Sequence, residues 1–74
     1  MALKTAPKVP LNAAAIRAAF ARDGRNNTEI GRAAGVERVT ISRWLRGLCE
    51  RPRLDTLSAV AGVLDVPVEE LILV

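Results

Sequence analysis

The stretch that most constrains the fold runs from residue 26 to residue 47 and reads NNTEIGRAAGVERVTISRWLRG. Asn26 can cap a helix, and Glu29, three residues later, can bond back to the backbone of Asn26 as in a capping box. Gly35 is the type of residue at which a helix readily ends. A second helical pattern then covers 38–46, and its apolar face consists of Ile41, Trp44 and Leu45. The stretch therefore predicts two short helices joined by a tight turn.

The other faces of the second helix are rich in arginine. Arg38, Arg43 and Arg46 are spaced so that they avoid the apolar face. Arginine donates hydrogen bonds to phosphate oxygens and to the edges of bases. Two helices around one Gly, with cations on the second, are typical of a helix-turn-helix, in which the second helix enters the major groove of DNA.

A longer series of residues in order supports this interpretation. It consists of Glu29-Ile30-Gly31, Ala34-Gly35-Val36, Thr40-Ile41-Ser42-Arg43, Arg46-Gly47, Arg51-Pro52, Thr56-Leu57, Val60-Ala61, Leu64, Val66-Pro67 and Leu71. In this pattern the chain resembles the Cro/repressor-type (lambda-repressor-like) helix-turn-helix family over about residues 12–73. The resemblance implies an all-α, five-helix domain in which helices 2 and 3 form the helix-turn-helix. It also places a small residue at Gly31, where those two helices approach closely.

Helical spacing of apolar residues predicts where the remaining helices lie. The predicted ranges are about 12–22, 27–34, 38–46, 54–64 and 68–73. The core stripe of the first helix is Ile16, Ala19 and Phe20, and that of the fourth is Leu54, Leu57, Val60, Ala61 and Leu64. No strand pattern or internal repeat stands out, so the sequence predicts an all-α domain over 11–74.

Residues 1–10 contain Lys4, Lys8, Pro7 and Pro10 and have no helical period. We interpret them as a flexible, basic and extended arm that precedes the domain. Two alternatives stay open for its lysines. They either contact the DNA backbone or belong to a disordered tail that contributes only long-range charge.

The resemblance also implies which residues contact DNA. Arg38, Val39, Ser42 and Arg43 would contact base edges, since arginine can donate twice to guanine and a valine methyl can pack on a thymine methyl. The remaining residues would contact phosphate at the start of helix 2, along helix 3 and in the loop after it. They are Asn27, Thr28, Thr40, Arg46, Arg51 and Arg53.

The sequence departs from the family pattern in two features, the cap of helix 3 and one pair of facing residues. Glu37 lies where Ser or Thr usually caps helix 3, and a Glu caps poorly and repels phosphate. It either accepts a hydrogen bond from a cytosine amino group or orients Arg38. Many family members also have an Arg–Glu ion pair between helices 1 and 3, at the positions of Phe20 and Leu45 here. Because both partners are apolar, we expect these two side chains to be in contact, within ~4.5 Å.

Composition limits the chemistry that the chain can perform. It contains no His, no Tyr and a single Cys, so a metal site, a cofactor or a nucleophile–base pair is not expected, and we do not expect an enzyme. Cys49 has no cysteine partner, which suits a reducing cytoplasm. The resemblance implies a prokaryotic or phage-encoded protein that is associated with the nucleoid. No apolar run is long enough to span a membrane and no signal peptide is visible.

Charge is unevenly distributed along the chain. Residues 1–53 hold all 11 Lys and Arg and four acidic residues, a net charge of +7, whereas residues 54–74 hold four acidic residues and no basic one, a net charge of −4. One part of the molecule should therefore attract a polyanion. The predicted function is sequence-specific binding to double-stranded DNA, as a transcriptional repressor. The alternative is an antitoxin-like or adaptor module that binds protein.

The sequence ends on the apolar residues Leu71, Ile72, Leu73 and Val74. Three alternatives stay open for this segment. It docks on a second copy of the chain, it continues into a further domain, or it folds back into the core. If two copies bind DNA as a two-fold dimer, the half-sites should lie about one helical turn apart.

Overall fold

A computed structural model describes residues 7–48 and 51–73 of the chain. Its α-helices are α1 (Ala13–Asp23), α2 (Asn27–Ala34), α3 (Arg38–Leu45) and α4 (Leu54–Leu64), and a 3-10 turn (Val68–Leu71) follows. The described part of the chain contains isolated β-bridges but no strand. The predicted all-α class is confirmed. The predicted fifth helix is instead a single 3-10 turn, because Ile72 already pairs with Leu11 in an extended bridge.

The helix ends follow the local signals in the sequence. The Asn12 side chain accepts a hydrogen bond from the Ala15 N–H at 3.1 Å and caps α1. Asn26 accepts from the Glu29 N–H at 2.8 Å, while the Glu29 carboxylate accepts from the Asn26 N–H at 3.1 Å. This reciprocal capping box starts α2 at the residue that the pattern predicted. Side-chain caps therefore fix the starts of α1 and α2.

The core is built from the apolar faces of all the helices. Helix α2 packs against both α3 and α4, and α1 packs against α3, α4 and the 3-10 turn. The largest fully buried side chain is Trp44 of α3. The buried apolar residues are Leu11, Ile16, Ala19, Phe20, Ile30, Ile41, Trp44, Leu57, Val60, Ala61, Leu64 and Leu71. Since α3 contributes Ile41 and Trp44 to this core, its opposite face is left toward solvent.

Residues 7–10 lie against the domain in an extended conformation. The Val9 N–H donates to the Pro52 carbonyl at 3.0 Å, and the Leu54 N–H donates to the Pro7 carbonyl at 2.8 Å. Lys8 and Arg53 form an antiparallel bridge between these bonds. This part of the predicted arm is thus bound to the segment that follows α3. The rest of it, residues 1–6 with Lys4, lies outside the described residues.

The C-terminal segment packs on the chain just before α1. The Asn12 N–H donates to the Leu71 carbonyl at 2.9 Å, and the Leu73 N–H donates to the Pro10 carbonyl at 2.9 Å. Leu71 is buried and Ile72 is half-buried, as expected if this segment folds back into the core. Leu73 is 52% exposed, and Val74 lies outside the described residues. Docking of a second copy or of a further domain stays a prediction.

Candidate nucleic-acid interface

The turn between α2 and α3 depends on a close approach at Gly31. This residue is buried, and a Cβ built on it would lie 2.6 Å from the Val36 carbonyl oxygen and 3.0 Å from Cδ1 of Ile41. The Val36 N–H donates to the Gly31 carbonyl at 2.8 Å, and Gly35 adopts a left-handed conformation with φ of 74°. The chain therefore reverses tightly, and α3 is held directly against α2.

The exposed face of α3 carries the residues expected to contact bases. This face is made of five residues, which at 3.6 residues per turn lie within an arc of about 140° around the helix axis. Ile41 and Trp44 point the other way, into the core. Arg43 is exposed and Ser42 is half-buried. The exposed face consists of Arg38, Val39, Ser42, Arg43 and Arg46.

The start of α2 lies beside this face. Asn27 is half-buried and lines an open recess of about 380 Å³ together with Arg38, Val39 and Ser42. Among the hydrogen bonds of the described residues, none uses the backbone N–H of Asn27 or Thr28 as donor. These first-turn N–H groups carry the positive end of the helix dipole, which favours an anion. The structure thus brings the predicted phosphate contact at Asn27 next to the predicted base contacts.

A second group of predicted site residues lies around a separate groove. This groove has a volume of about 450 Å³ and is lined by the turn between α2 and α3, by Thr40 and by the segment after α3. The Arg51 guanidinium donates to the Lys8 carbonyl at 3.4 Å, and that of Arg53 forms an ion pair with Asp55 at 2.8 Å. The cations on this groove are Lys8, Arg51 and Arg53. Thr40 therefore lines the same groove as Arg51 and Arg53, and it does not line the recess that contains Val39.

Glu37 occupies the N-cap position of α3 without acting as a cap. Its side chain makes no capping hydrogen bond, and the described residues contain no hydrogen bond or ion pair between Glu37 and Arg38. The carboxylate instead lines the groove that carries Lys8, Arg51 and Arg53. The first turn of α3 thus lacks a side-chain acceptor, and a negative charge lies on a surface of mainly positive charge.

We expect Glu37→Ser to stabilise the domain by about 1 kcal/mol, because Ser caps a helix N-terminus through its hydroxyl. Urea denaturation measures the change in the free energy of unfolding. Glu37→Ala is the matched control, since it removes the charge without supplying a cap. Equal stabilities of the Ser and Ala variants would contradict the capping explanation.

Two arginines outside the predicted site hold helices together. The Arg17 guanidinium donates to the Leu45 carbonyl at 2.9 Å and so ties α1 to the last turn of α3. Arg25 forms an ion pair with Asp23 at 2.6 Å and also donates to the Val63 carbonyl at 2.9 Å. No local pattern in the sequence predicted the bonds to the Leu45 and Val63 carbonyls, because these partners lie 28 and 38 residues away along the chain. Arg17 therefore helps to position α3 against α1, and Arg25 joins the segment before α2 to α4.

The ion pair at the end of α1 changes the pKa of both of its members. The hydrogen bond from Arg25 lowers the pKa of Asp23 below its usual 3.8, and the same bond raises the pKa of Arg25. Since the folded-state pKa of Asp23 is lowered, the stability from this pair is present above pH 3.8 and is lost as the pH falls below that value.

The expected contact between Phe20 and Leu45 stays a prediction. Phe20 is buried, whereas Leu45 is half-buried and packs against the core cluster. Both are therefore placed on the inner side of their helices, as replacement of an ion pair by apolar side chains requires. The polar connection between α1 and α3 is made by Arg17 to the Leu45 carbonyl, and not by side chains at these two positions.

Within residues 7–48 and 51–73, no group of three His, Cys, Asp or Glu side chains is arranged to hold a metal ion. None of the helices in this part of the chain has the length and apolar character needed to cross a membrane. Cys49 lies outside the described residues.

Comparison with known proteins gives one match. The family model described as Helix-turn-helix matches residues 16–71. This range begins within α1 and ends at the last residue of the 3-10 turn, so it includes the α2–α3 turn and the exposed face of α3. No curated protein and no solved structure gave a significant match.

Proposed function

Because the chain belongs to the Cro/repressor-type helix-turn-helix family, a DNA-binding and non-enzymatic family, we propose that it binds specific sequences of double-stranded DNA with α3 in the major groove. The observation that carries the proposal is the exposed face of α3, which presents three arginines away from the core. Buried Ile41 and Trp44 fix the orientation of α3 about its own axis, so this face points to solvent in the protein without DNA.

Base edges and phosphates are contacted by different residues in this proposal. Arg38 and Arg43 donate to guanine O6 and N7, and Ser42 donates or accepts at either kind of base pair. The free N–H groups at Asn27 and Thr28 bind a phosphate at the start of α2. Three residues bind the backbone on the other side of α3. They are Thr40, Arg51 and Arg53. Arg46 binds a further phosphate at the end of the helix.

The biological role that fits this activity is repression of transcription in a prokaryotic or phage setting, by blocking access of polymerase to the bound site. The alternative is an antitoxin-like or adaptor module that uses the same fold to bind protein. An adaptor gives no reason for Arg38, Arg43 and Arg46 to be exposed on one helix without an ion-pair partner among the described residues. A dimer formed through the exposed Leu73 is compatible with either role.

A salt series on DNA binding tests the proposal. With at least four or five phosphate contacts, a plot of log affinity against log salt should fall with a slope of about −3.6 to −4.5. Arg46→Ala should make the slope less negative by about 0.9, the value of one contact. Arg22→Ala is the matched control, because Arg22 is exposed at the end of α1 near Asp65 and Glu70 and should leave the slope unchanged.

One outcome of the salt series would contradict the proposed function. If the affinity for duplex DNA stays the same between about 50 and 200 mM salt, no phosphate is neutralised and the proposed function fails. Capture of a partner protein by the same surface would then favour the adaptor alternative.

A further inference from the structure

The N-terminal segment, residues 7–10, is bound to the part of the chain that leads into α4. The Val9 N–H donates to the Pro52 carbonyl at 3.0 Å, and the Leu54 N–H donates to the Pro7 carbonyl at 2.8 Å. Pro52 is buried and has no N–H, so only its carbonyl can take part in a main-chain hydrogen bond. The N-terminal segment therefore supplies the main-chain bond that holds Pro52 in place.

The same segment completes the start of α4. The N-cap residue of this helix is Arg53, whose side chain makes no capping hydrogen bond. Leu54 is the first residue of the helix, and its N–H has no acceptor within the helix. The Pro7 carbonyl accepts this bond, so a backbone group from a distant part of the chain takes the place of a side-chain cap.

Two of the proposed phosphate contacts, Arg51 and Arg53, lie on either side of Pro52. Arg53 forms an antiparallel bridge with Lys8, and the Arg51 guanidinium donates to the Lys8 carbonyl at 3.4 Å. Both arginines are exposed and line the groove beside the turn between α2 and α3. A guanidinium has five N–H donors, and each of these two uses one nitrogen in the bonds to Lys8 and Asp55. Donors therefore remain on both for a phosphate.

Resting on the proposed function, we infer that residues 7–9 position Arg51 and Arg53 against the DNA backbone through main-chain hydrogen bonds, and not through a charge of their own. Without these bonds the loop has to be ordered when DNA binds, which costs conformational entropy and weakens the phosphate contacts. The orientation of α3 depends on other contacts, the close approach at Gly31 and the burial of Ile41. Loss of the bonds should thus weaken phosphate binding and leave the reading of bases intact.

Two proline variants of the full chain each remove one of the bonds. Val9→Pro lacks the N–H that donates to the Pro52 carbonyl, and Leu54→Pro lacks the N–H that donates to the Pro7 carbonyl. Leu54→Pro suits the fold, because proline is favoured at the first position of a helix and the preceding Arg53 is extended, with φ of −70° and ψ of 139°. Val9→Ala and Leu54→Ala are the matched controls, since each shortens the same side chain and keeps the N–H.

The measurement is the salt dependence of binding to a duplex selected by this protein from a random pool. Each proline variant should make the slope of log affinity against log salt less negative by about 0.9 to 1.8, the value of one or two phosphate contacts. The alanine variants should keep the wild-type slope, and all four variants should keep the wild-type preference among base pairs. A merely structural effect would lower the folded fraction, which urea denaturation measures, and would leave the slope unchanged.

A combined variant shows whether the N-terminal segment acts through the two arginines. When Arg51→Ala and Arg53→Ala are already present, Leu54→Pro should change the slope no further, because the contacts that the segment positions are absent. A further change of the same size as in the otherwise wild-type chain would show that the segment contacts DNA by itself, and it would overturn the inference.

The inference and the proposed function fail in different ways. If wild-type binding to duplex DNA does not depend on salt, the proposed function fails and the inference falls with it. If wild-type binding depends on salt but folded Leu54→Pro keeps the wild-type slope, only the inference is overturned. The result for Leu54→Pro decides alone if Val9→Pro does not fold.

Discussion

Gly31→Ala should lower the free energy of unfolding by about 1 to 3 kcal/mol, the usual cost of placing an extra methyl group in a packed interior. The added Cβ would lie 2.6 Å from the Val36 carbonyl oxygen, which belongs to the backbone of the turn and cannot rotate away as a side chain can. The second neighbour, Cδ1 of Ile41 at 3.0 Å, belongs to a fully buried core residue. Relief of the overlap therefore requires α2 and α3 to move apart.

Urea denaturation followed by the fluorescence of Trp44 measures this effect, since Trp44 is the single tryptophan and is buried. Gly62→Ala is the matched control. Gly62 lies within α4, and apart from its chain neighbours and the backbone of its own helix no atom lies within 4 Å of its built Cβ, so alanine there should stabilise the helix by about 0.5 to 1 kcal/mol. Equal stabilities of Gly31→Ala and wild type would contradict the close packing of the turn.

Arg43→Ala should weaken binding to the selected DNA by about 1 to 3 kcal/mol and should relax the preference at one base pair. Arg43 is exposed in the last turn of α3, on the face opposite to buried Ile41. From there a guanidinium that donates to guanine O6 and N7 favours that base over the other three. Affinities measured for duplexes with each of the four base pairs at every position give the size of the preference.

Arg46→Ala is the control for this prediction, because it removes the same charge from the C-cap of the same helix. We expect it to weaken binding to selected and random DNA by similar factors, as loss of a phosphate contact does. If Arg43→Ala also weakens both kinds of DNA equally, Arg43 contacts phosphate and the assignment to a base is wrong.

The local features of the fold were predictable from the sequence. The capping box at Asn26 and Glu29 involves residues three apart, and Gly35 provides its own left-handed turn, so each signal is complete within a few residues. The faces of α3 follow from helical spacing, which placed Ile41 and Trp44 in the core. For the same reason the residues expected to contact bases lie together on one face.

Contacts between distant residues were not predictable in the same way. Arg17 and Leu45 are 28 residues apart, and Arg51 and Lys8 are 43 apart, so no spacing along the chain indicates that they meet. The bonds of Pro7 and Val9 to the segment after α3 likewise depend on the path of the whole domain. The sequence predicted an extended segment at its prolines, but not the surface on which that segment lies.

The central claim is that α3 reads base edges in the major groove, and 7-deazaguanine tests it most directly. This base lacks the N7 acceptor but keeps Watson–Crick pairing and the minor-groove edge. Placed at each guanine of the selected duplex, it should weaken wild-type binding at one or more positions. At the position read by Arg43, Arg43→Ala should show no further loss, so that the two changes are not additive. Wild-type affinity that is unchanged by 7-deazaguanine at every guanine would contradict the claim.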